Sequence, residues 1–146
     1  MSVSVLSNVI NGEGYETKVY KIQKNSDVKI LSSKDSKMSF NDVSSVKKNE
    51  NMELKTYVLK IKNNIEQEFR LVCDEKTEIY CKKNGETGYF PVADVDLSCI
   101  IYDYTNRISV VLKKFELNNK TNKEDFVNIT GNFDGFYCSN ILIRTV

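Results

Sequence analysis

The chain of 146 residues carries 21 Lys and Arg against 20 Asp and Glu and contains no His, with 40% apolar and 28% charged residues. These are the proportions of one ordinary globular domain able to bury a core. They exclude the pronounced basic excess of a nucleic-acid binder and any apolar run as long as a membrane span.

Ser2 to Ile10 alternates loosely and reads as a strand, ended by the turn signal Asn11-Gly12-Glu13-Gly14. Thr17 to Gln23 is read as a half-buried strand, Lys24 to Asp27 as a turn and Val28 to Leu31 as a short strand. A polar loop, Ser32 to Lys37, precedes the apolar fragment Asp42 to Val46 and the charged loop Lys47 to Asn51. Lys55 to Lys62 is the clearest strand, with Tyr57, Leu59 and Ile61 on one face. Asn63-Asn64 turns into Glu68 to Cys73. Thr77 to Cys81 follows, then a turn at Lys83 to Glu86 and an edge or bend around Pro91, the single proline. Leu97 to Tyr102 and Ile108 to Leu117 flank the turn Asp103 to Arg107, and Lys113 to Lys123 runs into a polar loop.

The last stretch, Glu124 to Val146, is two short apolar strands around turns made by Gly131-Asn132 and Asp134-Gly135. About a dozen short strands with no helical period predict an all-β sandwich or barrel-like fold in a single domain spanning 1–146. The expected core includes Tyr57, Leu59, Ile61, Val72, Val110, Leu112, Ile129 and Leu142.

Four cysteines occur, Cys73, Cys81, Cys99 and Cys138, none in C-x-x-C spacing. Without His, a Cys/His zinc site is excluded and an all-Cys site is not expected, so the thiols read as small buried apolar groups. Asp94, Asp96 and Asp103 match no metal motif and read as solvated turn carboxylates. No metal or cofactor is expected. Asn119-Lys120-Thr121 and Asn128-Ile129-Thr130 are glycosylation sequons by pattern alone, and the eight tyrosines read as packing residues. No secretory leader is recognised, so a cytoplasmic monomer with no membrane or nucleic-acid partner is expected.

The terminal stretch F-Y-C-S-N-I-L-I-R-T resembles, without a gap, the C-terminal F-Y-A-N-G-I-L-V-H-N of inteins in the Hint (hedgehog/intein) family. Other blocks fit in order. Ser2 to Val9 followed by Gly12 to Gly14 looks like the opening nucleophile, strand and turn. Ser26 to Leu31 resembles the G-D-x-V-L strand, and Lys55 to Val72, Cys73 to Lys76 and Gly88 to Val95 follow the middle block with its T-x-x-H. The resemblance implies a Hint horseshoe of many short strands, with no homing-endonuclease insert. It also implies that Ser2 and Thr145 meet near its centre, with Lys76 nearby, and that the partner is the flanking polypeptide.

It further implies the site residues and their losses. Ser2 takes the place of the nucleophile, but a serine hydroxyl at its free pKa needs a base to activate it. Lys76 stands where the T-x-x-H histidine would be, and an ammonium is a poor proton shuttle near neutrality. Cys73 stands for the threonine, as a weaker hydrogen-bond partner. The histidine expected ahead of the final F-Y falls near Phe133 and Asp134. Arg144 replaces the penultimate histidine, Thr145 replaces the asparagine whose amide cyclises, and Val146 stands for the downstream nucleophile. The expectation is a degenerate, splicing-inactive Hint domain of phage or mobile-element origin, acting as a structural or binding module. Two alternatives stand beside it: an atypical self-processing domain in which Ser2 drives N-terminal cleavage, and an unrelated small all-β interaction protein.

Overall fold

The computed structural model describes residues 1–22, 28–49, 54–117 and 125–145. Fourteen strands follow in chain order: β1 (Val3–Ser4), β2 (Asn8–Ile10), β3 (Glu16–Lys18), β4 (Lys29–Lys34), β5 (Lys37–Lys48), β6 (Thr56–Asn63), β7 (Glu68–Asp74), β8 (Glu78–Lys83), β9 (Glu86–Pro91), β10 (Ile100–Tyr102), β11 (Ile108–Glu116), β12 (Phe126–Gly131), β13 (Gly135–Cys138) and β14 (Ile141–Arg144). Twelve of them make one antiparallel sheet in the order β10-β11-β6-β7-β1-β12-β5-β4-β13-β14-β8-β9, while β2 and β3 form a separate pair. Ile100 of β10 also pairs with Lys82 of β8, so the sheet closes on itself and leaves β9 as an edge. Closure of this kind removes most of the unpaired strand edges that an open sheet would expose. The expected all-β class is the one observed.

Three local readings are corrected. The stretch read as a strand from Thr17 to Gln23 divides into β3 and a single helical turn, α1 (Val19–Ile22). Val19 and Ile22 lie three residues apart and are both buried, the spacing that puts two side chains on one side of a helix. The loop placed at Ser32 to Lys37 is two strands and a tight turn, with Asp35 and Ser36 at positive φ (52° and 63°) and Lys34 paired to Lys37. This is the two-residue hairpin that Asp tolerates. Lys47 and Lys48, read as part of a loop, end β5. The turn at Lys24 to Asp27 and the polar stretch 118–124 lie outside the described residues.

The core lies inside the closed sheet: Leu59, Ile61, Leu71, Ile79, Ile101, Ile129, Phe136 and Ile143 are all essentially inaccessible. Leu59, Ile61, Val72, Ile129 and Leu142 are buried as expected, and Tyr57 is half-buried. Val110 and Leu112 are not; they are 43% and 45% exposed, because β11 has the opposite phase to the one read from its apolarity. Ser109 and Val111 face inward, opposite Asn63 and Ile61, and a register shift between Val111 and Lys113 marks a bulge. Such a bulge re-aims the residues after it: Lys114 opposes the buried Leu59, and its ammonium donates to the carbonyls of Val92, Ala93 and Val95 at 2.8, 2.9 and 2.9 Å. The three N–H groups of one cation thus meet three carbonyls at the short 3-10 turn Val92–Asp94.

All four cysteines are free and buried. Among the described residues no cluster of three or more His, Cys, Asp or Glu is placed to hold a metal ion. None of their helices is long and apolar enough to cross a membrane. Asp103, read above as a solvated turn carboxylate, is instead buried; it accepts from the N–H groups of Thr105 and Arg107 at 2.9 Å and from the Thr105 hydroxyl at 2.6 Å, so it closes its own loop. Asp96 does the same for Ser98, whose hydroxyl and N–H hold its carboxyl below the usual range.

Candidate functional site around Ser2 and Thr145

β1 is only two residues long, yet it joins two parts of the sheet: Val3 pairs with Cys73 of β7 on one side and with Val127 of β12 on the other. Ser2, just ahead of it, is thereby delivered to the end of β7, where the chain turns between Asp74 and Thr77. Ser2 is 1% exposed and Asp74 2%. The Ser2 hydroxyl donates to Asp74 Oδ2 at 2.7 Å and accepts from Asn49 Nδ2 at 3.0 Å. Asp74 Oδ1 accepts from the Thr77 hydroxyl at 2.9 Å and from the Lys76 N–H at 3.1 Å. The Met1 amino group lies 4.0 Å from Asp74 Oδ2. Thr77 Oγ1 is also 3.3 Å from the Ser2 carbonyl, which accepts the Asp74 N–H at 3.0 Å. A buried carboxylate needs such donors, because its burial without them would be costly. Chemically, a carboxylate hydrogen-bonded to a hydroxyl can take its proton, which is how a serine becomes a nucleophile.

The other end of the chain arrives by β13 and β14. These pair through a two-residue turn in which Ser139 and Asn140 take positive φ (49° and 65°), with Cys138 opposite Ile141. β14 in turn pairs with β8 at Ile143 and Ile79. Thr145 donates its N–H to Asp134 O at 2.9 Å and its hydroxyl to Phe133 O at 3.1 Å. Arg144 points outward, 3.4 Å from Glu78 Oε2 and with its guanidinium 5.7 Å from the Tyr89 ring centroid. An open cavity of about 510 Å³ lies between Tyr89, Thr130, Phe133, Arg144 and Thr145. A second, of about 300 Å³, is lined by Met1, Ser45, Lys47, Asn128 and Thr130, so Thr130 belongs to both. Asn128 Oδ1 is buried there with no hydrogen-bond partner among the described residues.

Of the residues predicted from the sequence, Ser2 sits in the hydrogen-bonded network and Thr145 at the cavity. Cys73 is fully buried in the core, its thiol hydrogen-bonded with Thr77, and burial, with the Asp74 charge second, pushes that thiol far up. The Lys76 side chain is exposed, and its backbone N–H supplies the bond to Asp74. The polar groups gathered on Ser2 are Asp74, Thr77 and Asn49, one residue along from the predicted pair Cys73 and Lys76. In a strand a one-residue slip exchanges the faces, so β7 turns Cys73 to the core and Asp74 to Ser2. The signal that could have found them is Asp74-Glu75-Lys76-Thr77 itself, an Asp followed three residues later by a hydroxyl, the residue types that close tight turns.

No protein-family model matches the chain, and no curated protein matches it in sequence. The fold does have relatives among solved structures. It is similar to a DnaB intein from Synechocystis sp. PCC 6803 at 12% identity and TM-score 0.70, over 99% of this chain and 98% of that one. It is similar to the gp41-1 intein at 19% identity and TM-score 0.66, over 99% and 98%. An intein from a hyperthermophile gives 10% identity and TM-score 0.72, over 99% and 100%. The architecture is therefore the all-β Hint fold. The likeness of fold extends over nearly the whole of this chain and of each of these inteins.

Proposed function

We propose that this chain is a Hint-fold domain that does not splice and acts as a structural or binding module between the polypeptides that flank it. The observation that carries the reading is Thr145. Release of a flanking segment by cyclisation needs a side-chain amide nitrogen at that position, and the Thr145 hydroxyl is instead engaged with Phe133 O at 3.1 Å. Arg144 beside it is held outward by Glu78 and Tyr89, and the chain has no His to assist. The domain acts as a monomer whose partners are its own flanking polypeptides. A phage or mobile-element origin rests on its Asn, Lys and Ile richness. The test is a fusion with one protein ahead of Ser2 and another after Val146, followed by mass. The expected result is an unchanged mass; a ligated product of the two flanking proteins would overturn the proposal.

A second reading has its own support, the 2.7 Å bond from the Ser2 hydroxyl to Asp74. In that reading Ser2 Oγ attacks the carbonyl carbon of residue 1. An ester forms as the Met1–Ser2 C–N bond breaks, and the hydroxyl proton passes through Asp74 to the leaving amine. Thiol or water then releases the upstream segment. Cleavage ahead of Ser2 that thiol accelerates, and that Ser2→Ala and Asp74→Asn both abolish, would establish it and exclude the inert module.

A further inference from the structure

The outward face of β10 and β11 carries an exposed apolar surface outside the site. Ile108, Val110 and Leu112 are 47%, 43% and 45% exposed. Opposite residues of an antiparallel pair share a face, so half-buried Tyr102 and Ile100 extend the stripe through their pairing with Ile108 and Val110. An apolar patch of contiguous side chains is uncommon on a soluble domain and marks contact with something else. Its surroundings are basic. Lys82 lies next to Ile100 on β8; Lys62 lies next to Val110 on β6; Lys60, opposite Lys113, is followed across the sheet by Arg70. Lys62 is ion-paired to Glu66 and faces Glu68, but Lys60, Arg70, Lys82 and Lys113 carry no ion pair among the described residues.

We propose that this face docks an extended polypeptide segment with apolar residues at alternate positions and Asp or Glu at its ends. Successive outward residues of β11 are about 6.7 Å apart, the same repeat as alternate side chains of an extended partner, while the flanking cations match its carboxylates. A second copy of the chain fits worse, since a two-fold contact sets a patch against itself and would oppose like charges. A lipid surface fits worse too, because these side chains are only about half exposed instead of protruding. The proposal is independent of whether Ser2 or Thr145 retains any chemistry.

The experiment is fluorescence anisotropy of a labelled peptide with leucine at alternate positions and glutamate at both ends, against the same peptide with lysine for glutamate. Beside these run vesicles containing phosphatidylserine, and sedimentation of the protein alone. The acidic peptide alone should bind, more weakly as salt rises, and Val110→Asp should weaken it about tenfold or more. Lys60→Glu with Arg70→Glu, surface changes that leave the stripe intact, should weaken it by a smaller factor. Circular dichroism confirms that each variant is folded. Equal binding of the two peptides, unchanged binding in folded Val110→Asp, or no binding would overturn the proposal. So would vesicle binding or self-association that Val110→Asp abolishes.

Discussion

The two ends of the site are built on opposite principles. At the Ser2 end, hydroxyl, carboxylate and amide groups are withdrawn from water and bonded to one another, with Asp74 accepting from three partners. At the Thr145 end, the polar side chains lean outward, on backbone carbonyls or across an exposed ion pair. A buried polar network is costly to break, because each orphaned group keeps its desolvation penalty. An exposed one is cheap to lose, and surface ion pairs contribute little. The N-terminal half is thus structurally committed to its residues, while the C-terminal half tolerates exchange. That asymmetry allows one half-site to change its chemistry while the fold persists.

Denaturant unfolding can break or sharpen this contrast. As a yardstick, Leu59→Ala, at a fully buried position, should cost about 2–5 kcal/mol; an unmoved midpoint would mean that the inward phase of β6 is wrong. Asp74→Ala should cost about 2–3 kcal/mol, and Ser2→Ala should cost clearly less in that background than alone, since contacting residues do not add. Full additivity of the two would dissolve the network. Gly135→Ala should cost about 1–3 kcal/mol as overpacking, because a Cβ there would lie 2.6 Å from Ile143 O and 2.7 Å from the Tyr89 hydroxyl. Thr145→Ala should cost under about 1 kcal/mol; a loss as large as that of Asp74→Ala would erase the difference between the ends. Smallest of all is the response of the thiols. Burial pushes Cys81 and Cys138 up to about 12, and because all four cysteines are shut away from solvent they should resist alkylation at pH 8 until the protein unfolds. Rapid modification of the native protein would contradict their burial.

Much of the architecture was legible because strands announce themselves by alternation and turns by Gly, Asn and Asp. β6, β7 and the closing hairpin lie close to where the pattern puts them. The failures share one cause. In β11 the sequence I-S-V-V-L offers more apolar character to the outside than to the inside, and the inward Ser109 hydroxyl finds no partner among the described residues. Apolarity alone therefore chose the wrong face. In β7 the side chain that bonds Ser2 is that of Asp74, next to Cys73, which lies in the core, and apolar patterning does not single out such a buried carboxylate. Asn49 was beyond reach, since nothing local ties a residue after β5 to Ser2. Such contacts exist only once the sheet has closed.

The two residues of β1 have a kinetic consequence. Among the described residues they join β7 to β12 in the order of the sheet, and Val3 is separated from its two partners by the chain running to positions 73 and 127. Closing such loops is entropically slow, and topologies rich in distant pairings fold late. The segment that precedes almost everything else in the chain must therefore wait for nearly all of it before it can be placed. Ser2 and Asp74 become neighbours only at that final docking, so whatever reactivity they share is withheld from every partly folded form.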